Sequence, residues 1–391
     1  MSPTEPSAIA EEKRLSAPEV YELAQQTLQA HFQLDMSDSP YEVQDIWDVV
    51  IAASVERISI ESGCDLLEAA PSANTVRTAL NSLFSDEGLA KLEQQINQLL
   101  VARLPKKLLN KRRITAIDIT DIPYHGHHDD EDEPVRRGRA KSGTTHFHSF
   151  GTLVILHRHK RYTLAVTLMR KSDKALDVLK RLLKQGKKVG LRPKRLYVDR
   201  GFDNNAVVAY LKQQGFACII ALAIRGKTGG TRGLCKGRKS QPVRYRRESR
   251  QYGRESLPLF IVCKYSKGHY RRRGVRYFAY ILIGDLKMSA RQVYEEYRRR
   301  FGIETTYRLM NTMRARTSSR SAALRLFLVA VALLLLNLWA YIKWHHLFRP
   351  RRGPRQVLHH LLPLARWRLW LWEMVKQRLG FSLEIVLSQE V

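Results

Sequence analysis

The feature that most restricts the fold is a run of seventeen residues without a charge. It extends from Leu326 to Ile342, reads LFLVAVALLLLNLWAYI and lies between Arg325 and Lys343. Nearly all of it must be kept from water. Its length is at the short end of what spans a bilayer, and it contains Asn337. A helix apolar on every side also suits the centre of a large soluble core. The chain has 391 residues, enough for two or three domains and a core of that depth. The expectation is a central buried helix and no membrane partner.

Charge is the second constraint. The chain carries 67 Lys and Arg against 37 Asp and Glu, a formal +30. An excess of that size points to a polyanionic partner, most often nucleic acid. It is unevenly placed. Residues 1–100 hold 17 acidic and 5 basic residues, a net −12, so the remainder carries +42. The surface facing nucleic acid is therefore expected in the later part. Cys64, Cys218, Cys235 and Cys263 are far apart with no C-x-x-C. They indicate neither a zinc site nor a disulfide framework and fit a reducing cytosol. The N-terminus lacks the basic and apolar pattern of a secretory signal, so a cytoplasmic location is expected.

Residues 1–17, rich in Ser, Pro, Glu and Ala, read as a disordered leader. Residues 18–105 read as an N-terminal helical domain, with one helix over Asp45–Ile60 and another opening at Ser72. The latter could be the second helix of a helix-turn-helix, with Arg77 as its phosphate partner. The acidity favours an ordinary bundle that dimerises or packs on the basic remainder. After a basic linker, Ile114–Thr120, Gly151–His157 and Tyr162–Met169 read as strands. A helix over Asp173–Gln185 ends at Gly186, a strand covers Leu196–Asp199, a helix covers Asn204–Gln214, and a strand covers Ala217–Ile224. Three strands before the first helix imply a mixed sheet. Residues 226–288 read as a β-rich insertion with a hairpin of Leu257–Tyr265 and Val275–Ile283. Ser289 and Gln292 form a capping box that opens a helix. Residues 349–391 form a basic, tryptophan-rich helical tail.

Tyr297, Arg300, Glu304 and Arg308 are spaced by 3, 4 and 4 residues. On one helix that spacing puts an aromatic, two guanidinium groups and a carboxylate on one face. Upstream, Asp118 lies in the strand Ile117-Asp-Ile-Thr120, and Asp199 ends the strand Leu196-Tyr-Val-Asp199, followed by Arg200-Gly-Phe202. Two strand aspartates and a helical glutamate suit two-metal phosphoryl transfer on nucleic acid. Asp121 is the alternative to Asp118. His125-Gly-His127-His128 with Asp129–Glu133 could be a metal site, but its charge and turn residues favour a solvated loop. Arg136, Arg137, Arg139 and Lys141 beside it are candidate DNA contacts by charge.

Strand order, strand aspartates and late glutamate resemble the RNase H-like fold of DDE transposases and integrases. Y-x2-R-x3-E, preceded by I-D-x-T and V-D-R-G-F, resembles the signature of the YREK group of bacterial insertion-sequence transposases, over roughly residues 106–345. The resemblance implies an α/β (α+β) fold, a mixed sheet with flanking helices. Its core would be split as 106–225 and 289–348 around the insertion. It implies Asp118, Asp199 and Glu304 as catalytic residues and ligands of two Mg2+ ions, with Mn2+ able to substitute. The implied partner is double-stranded DNA, both transposon ends and target, bound by a homodimer associated with the nucleoid. Arg200, Tyr297, Arg300 and Arg308 are the implied DNA contacts. The signature's lysine is replaced by Asn311, so the phosphate contact could pass to Arg308 or Arg314. In this group the insertion can support hairpin formation through a stacked aromatic. Here it has no tryptophan, and Tyr245, Tyr252, Tyr265, Tyr270, Tyr277, Tyr280, Phe260 and Phe278 are its rings.

Overall fold

The computed structural model describes residues 14–37, 39–84, 88–126, 134–157, 160–265, 274–349, 352 and 356–383. The described chain opens with helices α1 (Ala17–Gln29), α2 (Val43–Glu56), α3 (Ile60–Leu66), α4 (Ala73–Ser82), α5 (Gly88–Val101) and the one-turn α6 (Lys106–Leu109). Arg57 takes a left-handed conformation, φ 59°, and this splits the helix expected over Asp45–Ile60. Ser72 caps α4 as expected, its hydroxyl accepting from the amide of Thr75. Arg77, the candidate phosphate partner, forms an exposed ion pair with Glu61 at 3.5 Å.

Strands β1 (Arg113–Tyr124), β2 (Val135–Lys141), β3 (Thr144–His157) and β4 (Lys160–Leu168) follow. Next come α7 (Ala175–Lys188), β5 (Pro193–Val198), α8 (Asn205–Gln213), β6 (Cys218–Leu222), the short α9 (Gly230–Gly233) and strands β7 (Gln241–Ser249), β8 (Gly253–Tyr265) and β9 (Val275–Ile283). One nine-stranded sheet runs β2-β3-β1-β5-β6-β9-β8-β7, and β4 pairs with β3 beside β2. Strands β1, β5 and β6 are mutually parallel, while β3 and β9 are antiparallel to their core neighbours. The parallel pairs need long crossovers, which α7 and α8 supply.

Three expectations are corrected here. The stretch containing Arg136, Arg137, Arg139 and Lys141 is an edge strand, so four strands precede α7 where three were expected. Its run of charge carried no strand signal but suits an exposed edge. The insertion holds three strands, and β9 pairs directly with β6, so it extends the core sheet instead of standing apart. Gly186 lies inside α7. A Cβ there would come within 2.8 Å of Leu153 Cδ2, so this glycine permits close packing on the sheet. The helix ends instead before Gly190, whose φ is +75°. The candidate metal motif from His127 to Glu133 lies outside the described residues.

Side chains alternate across the sheet. Ile117, Leu153, Leu196 and Val198 face α7 and α8, meeting Val178, Leu182 and Leu211. Ala116, Val154, Tyr197 and Ile219 face the other way, toward α10 (Ala290–Arg298) and α11 (Phe301–Asn311), where Val293, Tyr297 and Ile303 cover them. The apolar run forms α12 (Ala322–His345). By length and composition it could cross a membrane, yet 83% of its most apolar window is buried inside the protein. It lies among α1, α2, α5, α11 and β4. After the two-residue strands β10 (Phe348–Arg349) and β11 (Gln356–Val357), α13 (Leu364–Leu379) returns to pack on α1 and α2.

The N-terminal helices therefore share one core with α12 and α13. Phe32 and Trp47 sit 5.4 and 6.1 Å from the ring of Phe327. Their acidity has a destination within the chain. Arg378 of α13 bridges Asp45 and Asp48 at 2.7 and 2.8 Å, and Asp48 is fully buried.

Candidate active site

Strand register does most of the assembly. Ile117 of β1 lies opposite Val198 of β5, so the next residues, Asp118 and Asp199, stand side by side at the same level of adjacent parallel strands. Asp121 is an odd number of residues away and projects from the opposite face; its carboxylate accepts a hydrogen bond from Ser149 Oγ at 2.6 Å. Asp118 is buried, and its Oδ1 accepts from the amide of Ile119.

The expected single helix is two helices. At Arg299 and Arg300 the backbone tightens into i to i+3 hydrogen bonds, Arg300 N to Tyr297 O and Ile303 N to Arg300 O, both 2.8 Å. Such bonds turn the chain faster per residue than an α-helix. Arg300 thus lies at the junction and reaches down to the sheet. Its Nη1 donates to Asp118 Oδ2 at 2.6 Å and its Nη2 to Glu304 Oε1 at 2.6 Å, with Asp199 Oδ1 3.4 Å away. Asp118, Asp199 and Glu304 therefore converge, but on a guanidinium group.

Electrostatics follow from this geometry. Asp118 is pushed up to about 7, chiefly by burial, with Asp199 and Glu304 adding and Arg300 opposing. Glu304 lies in the first turn of α11, where the helix dipole favours a negative charge. Among the described residues no three His, Cys, Asp or Glu side chains close on a common point as they stand, because the guanidinium spaces them. The donor chemistry nevertheless fits a hard dication, being carboxylate oxygen throughout.

The DNA-contact candidates separate. Glu304, Arg308 and Asn311 form one exposed stripe along α11, and Arg200 is exposed immediately after Asp199. Two others are corrected by their burial. Tyr297 is 5% exposed, and its hydroxyl donates to Val198 O at 3.0 Å. It packs beneath Arg300 as a structural ring, because the α10 face that carries it is the one the sheet covers. Arg300 is 7% exposed and engaged by carboxylates, so it presents no free phosphate grip here. Arg314 lies beyond the end of α11 and off the stripe. It is half-buried, pushed down to about 10 by burial and by Arg325 and Arg57.

Several supporting residues had no signal in the one-dimensional pattern. Tyr307 shares a 2.7 Å hydrogen bond with Thr152 beneath the site. Glu296 accepts from Arg195 and Tyr197 at 2.6 and 2.8 Å, tying α10 to β5. Arg247 of β7 pairs with Asp203 and braces the turn after Asp199. Arg161 of β4 had drawn no notice, and Lys343 had been noted only as the border of the apolar run. Among the insertion's rings, Tyr252 and Tyr265 are the most exposed, at 40% and 50%. Tyr270 lies outside the described residues.

A mixed sheet flanked by helices, with Asp118 inside β1 beside Asp199 at the end of β5, is the RNase H-like architecture of the transposase class. The sequence model described as Transposase DDE domain matches residues 109–338, so this chain belongs to the DDE transposase family. Its structure is similar to that of a piggyBac transposase in a synaptic complex with hairpin DNA. The TM-score is 0.52 at 9% identity, over 93% of this chain and 77% of that one. At that identity the likeness concerns the fold alone. No curated protein sequence matches significantly.

Proposed function

We propose that this transposase cuts DNA at the ends of its element and joins the freed ends to target DNA. The observation that carries this reading is the convergence of Asp118, Asp199 and Glu304 beside the solvent-exposed Arg200 and Arg308. Asp118, Asp199 and Glu304 would hold divalent metal, two Mg2+ ions with Mn2+ able to substitute. When bound, the metal would supply activation of the attacking oxygen and charge stabilisation for the leaving one.

The chain's own residues position the strands. Arg200, Arg308 and Asn311 face solvent beside the carboxylates and suit contacts to backbone phosphates. Arg300 offsets the charge of the buried Asp118 and of Glu304, and Tyr297 and Tyr307 hold the two helices on the sheet. In the first step water attacks the phosphodiester at an element end, leaving a 3′-hydroxyl and a 5′-phosphate. In the second, that 3′-hydroxyl attacks a target phosphodiester and expels a target 3′-oxygen. No protein nucleophile is required. The bacterial insertion-sequence assignment and a homodimer on paired ends rest on the motif resemblance.

The test uses DNA carrying the gene's own flanking ends, with Mg2+, and compares the native protein with Glu304→Gln. Native cutting and joining, with binding alone in the variant, is the expected result. Equal behaviour of the two proteins would sink the role of Glu304.

A further inference from the structure

A cavity of about 480 Å³ opens between α11, α12 and the segment leading into α13. Its lining includes Arg161 and Lys343 and, among the described residues, no Asp or Glu. Lys343 is 8% exposed, with its Nζ 3.0 Å from the centre of the Trp339 ring. The Trp339 indole is itself fixed by donation to Leu362 O at 2.9 Å. The stem of Arg161 lies against the start of α11, where a Cβ on Gly302 would be 3.3 Å from its Cδ. Arg308, one turn beyond Glu304, repels Arg161, and Arg161 in turn repels Lys343. Burial and that repulsion push Lys343 down to about 7. Two basic side chains thus line a cavity whose described lining offers them no acidic partner, with Arg308 near enough to Arg161 to repel it. Buried charge of one sign is unfavourable until a counter-charge joins it.

The remainder of the lining is mostly aromatic and apolar, including Trp339, Trp344, Leu309 and Leu364, with Thr306, Asn337 and His359 as its polar members. Cationic heads beside indole and leucine surface, with Lys343 seated on Trp339 and Trp344 also in the lining, match a phosphate joined to a flat ring. The volume is that of a small-molecule site, which excludes a base pair still stacked in a duplex.

We propose that this cavity binds one unpaired nucleotide of a DNA strand, its phosphate on Arg161 and Lys343 and its base against the indole wall. The proposal rests on the DNA-transposase reading and adds a subsite bordered by α11, the helix that carries Glu304. It gives the site a means to hold a strand end while the phosphodiester beside it is exchanged.

The test measures binding of the full chain to a blunt duplex and to the same duplex with a single-stranded extension, with free dAMP as competitor. Arg161→Met and Lys343→Met keep the stems and remove the charges, and melting curves check that each variant folds. Each should weaken binding of the extended duplex by about tenfold and leave the blunt duplex within about twofold. The salt dependence for the extended duplex should become shallower by about one counterion, and dAMP in excess should lower its affinity only to that of the blunt duplex. Unchanged affinity of both variants for the extended duplex would overturn the proposal. So would full displacement by dAMP, which would mark a site for free nucleotide. Loss of blunt-duplex binding by the native chain would instead overturn the DNA reading, and this subsite with it.

Discussion

Arg300 shows how a residue chosen by spacing acquires a different role from its surroundings. Spacing placed it on a phosphate-gripping face; the helix junction turns it onto three carboxylates. His148 is a second buried residue whose state is decided by its surroundings. It is fully buried on β3, with neither ring nitrogen hydrogen-bonded among the described residues, and its ring meets Tyr124 edge-on at 5.0 Å. Burial, helped by the charge of Arg325, pushes its imidazole down to about 4. The unfolded chain binds the proton near the usual value of about 6.5. The stability that neutral His148 permits is therefore complete above that value and is lost as pH falls through about 4. Integrated over the shift, this is roughly 3 kcal/mol. Urea midpoints measured from pH 7 to pH 4 should fall, and His148→Phe, which keeps the ring packing, should flatten that fall. A parallel decline in the variant would remove His148 as its source.

At the scale of elements, the edge of β4 explains the polar residue in the apolar helix. The outer backbone groups of an edge strand need partners, and side chains from two helices provide them. Asn337 of α12 accepts from the amide of Thr163 at 3.0 Å and donates to its carbonyl at 2.8 Å and to Leu100 O at 2.9 Å. Asn97 of α5 makes the matching pair with Val166, and Glu93 accepts from the amide of Leu168. Asn337→Ala should cost about 2–4 kcal/mol, because buried backbone groups lose their partners. Asn337→Leu should fare no better despite its apolar side chain. A chemical denaturation series on both variants checks this, and a neutral Asn337→Leu would show that water or a shifted strand replaces the amide. The apolar run announced a buried helix, but the purpose of Asn337 was invisible without the strand it caps.

For the whole molecule, charge separation along the chain becomes charge separation in space. The acidic N-terminal helices are partly neutralised from within, through Arg378 and through Arg368, whose guanidinium approaches Glu56 at 3.8 Å. The basic residues beyond them remain for a polyanion. Affinity for duplex DNA should therefore fall steeply with salt, with a log–log slope of about −5 or steeper. A flat salt response in a filter-binding or anisotropy titration would refute that electrostatic account.

The sequence by itself determined what depends on neighbours along the chain. The strands bearing Asp118 and Asp199, the caps at Ser72 and Ser289, the solvent-facing stripe of Glu304, Arg308 and Asn311, and the need to bury α12 are all local consequences of period and composition. Only the tertiary structure decided which carboxylate faces which. Strand parity and the β1–β5 register bring Asp118 to Asp199 and turn Asp121 away. Packing placed Tyr297 under the sheet-facing helix, drew β9 into the core sheet and gathered Arg161 and Lys343 into one cavity. These outcomes depend on groups distant in sequence, and the free energy that selects them exists only once the layers have closed on one another.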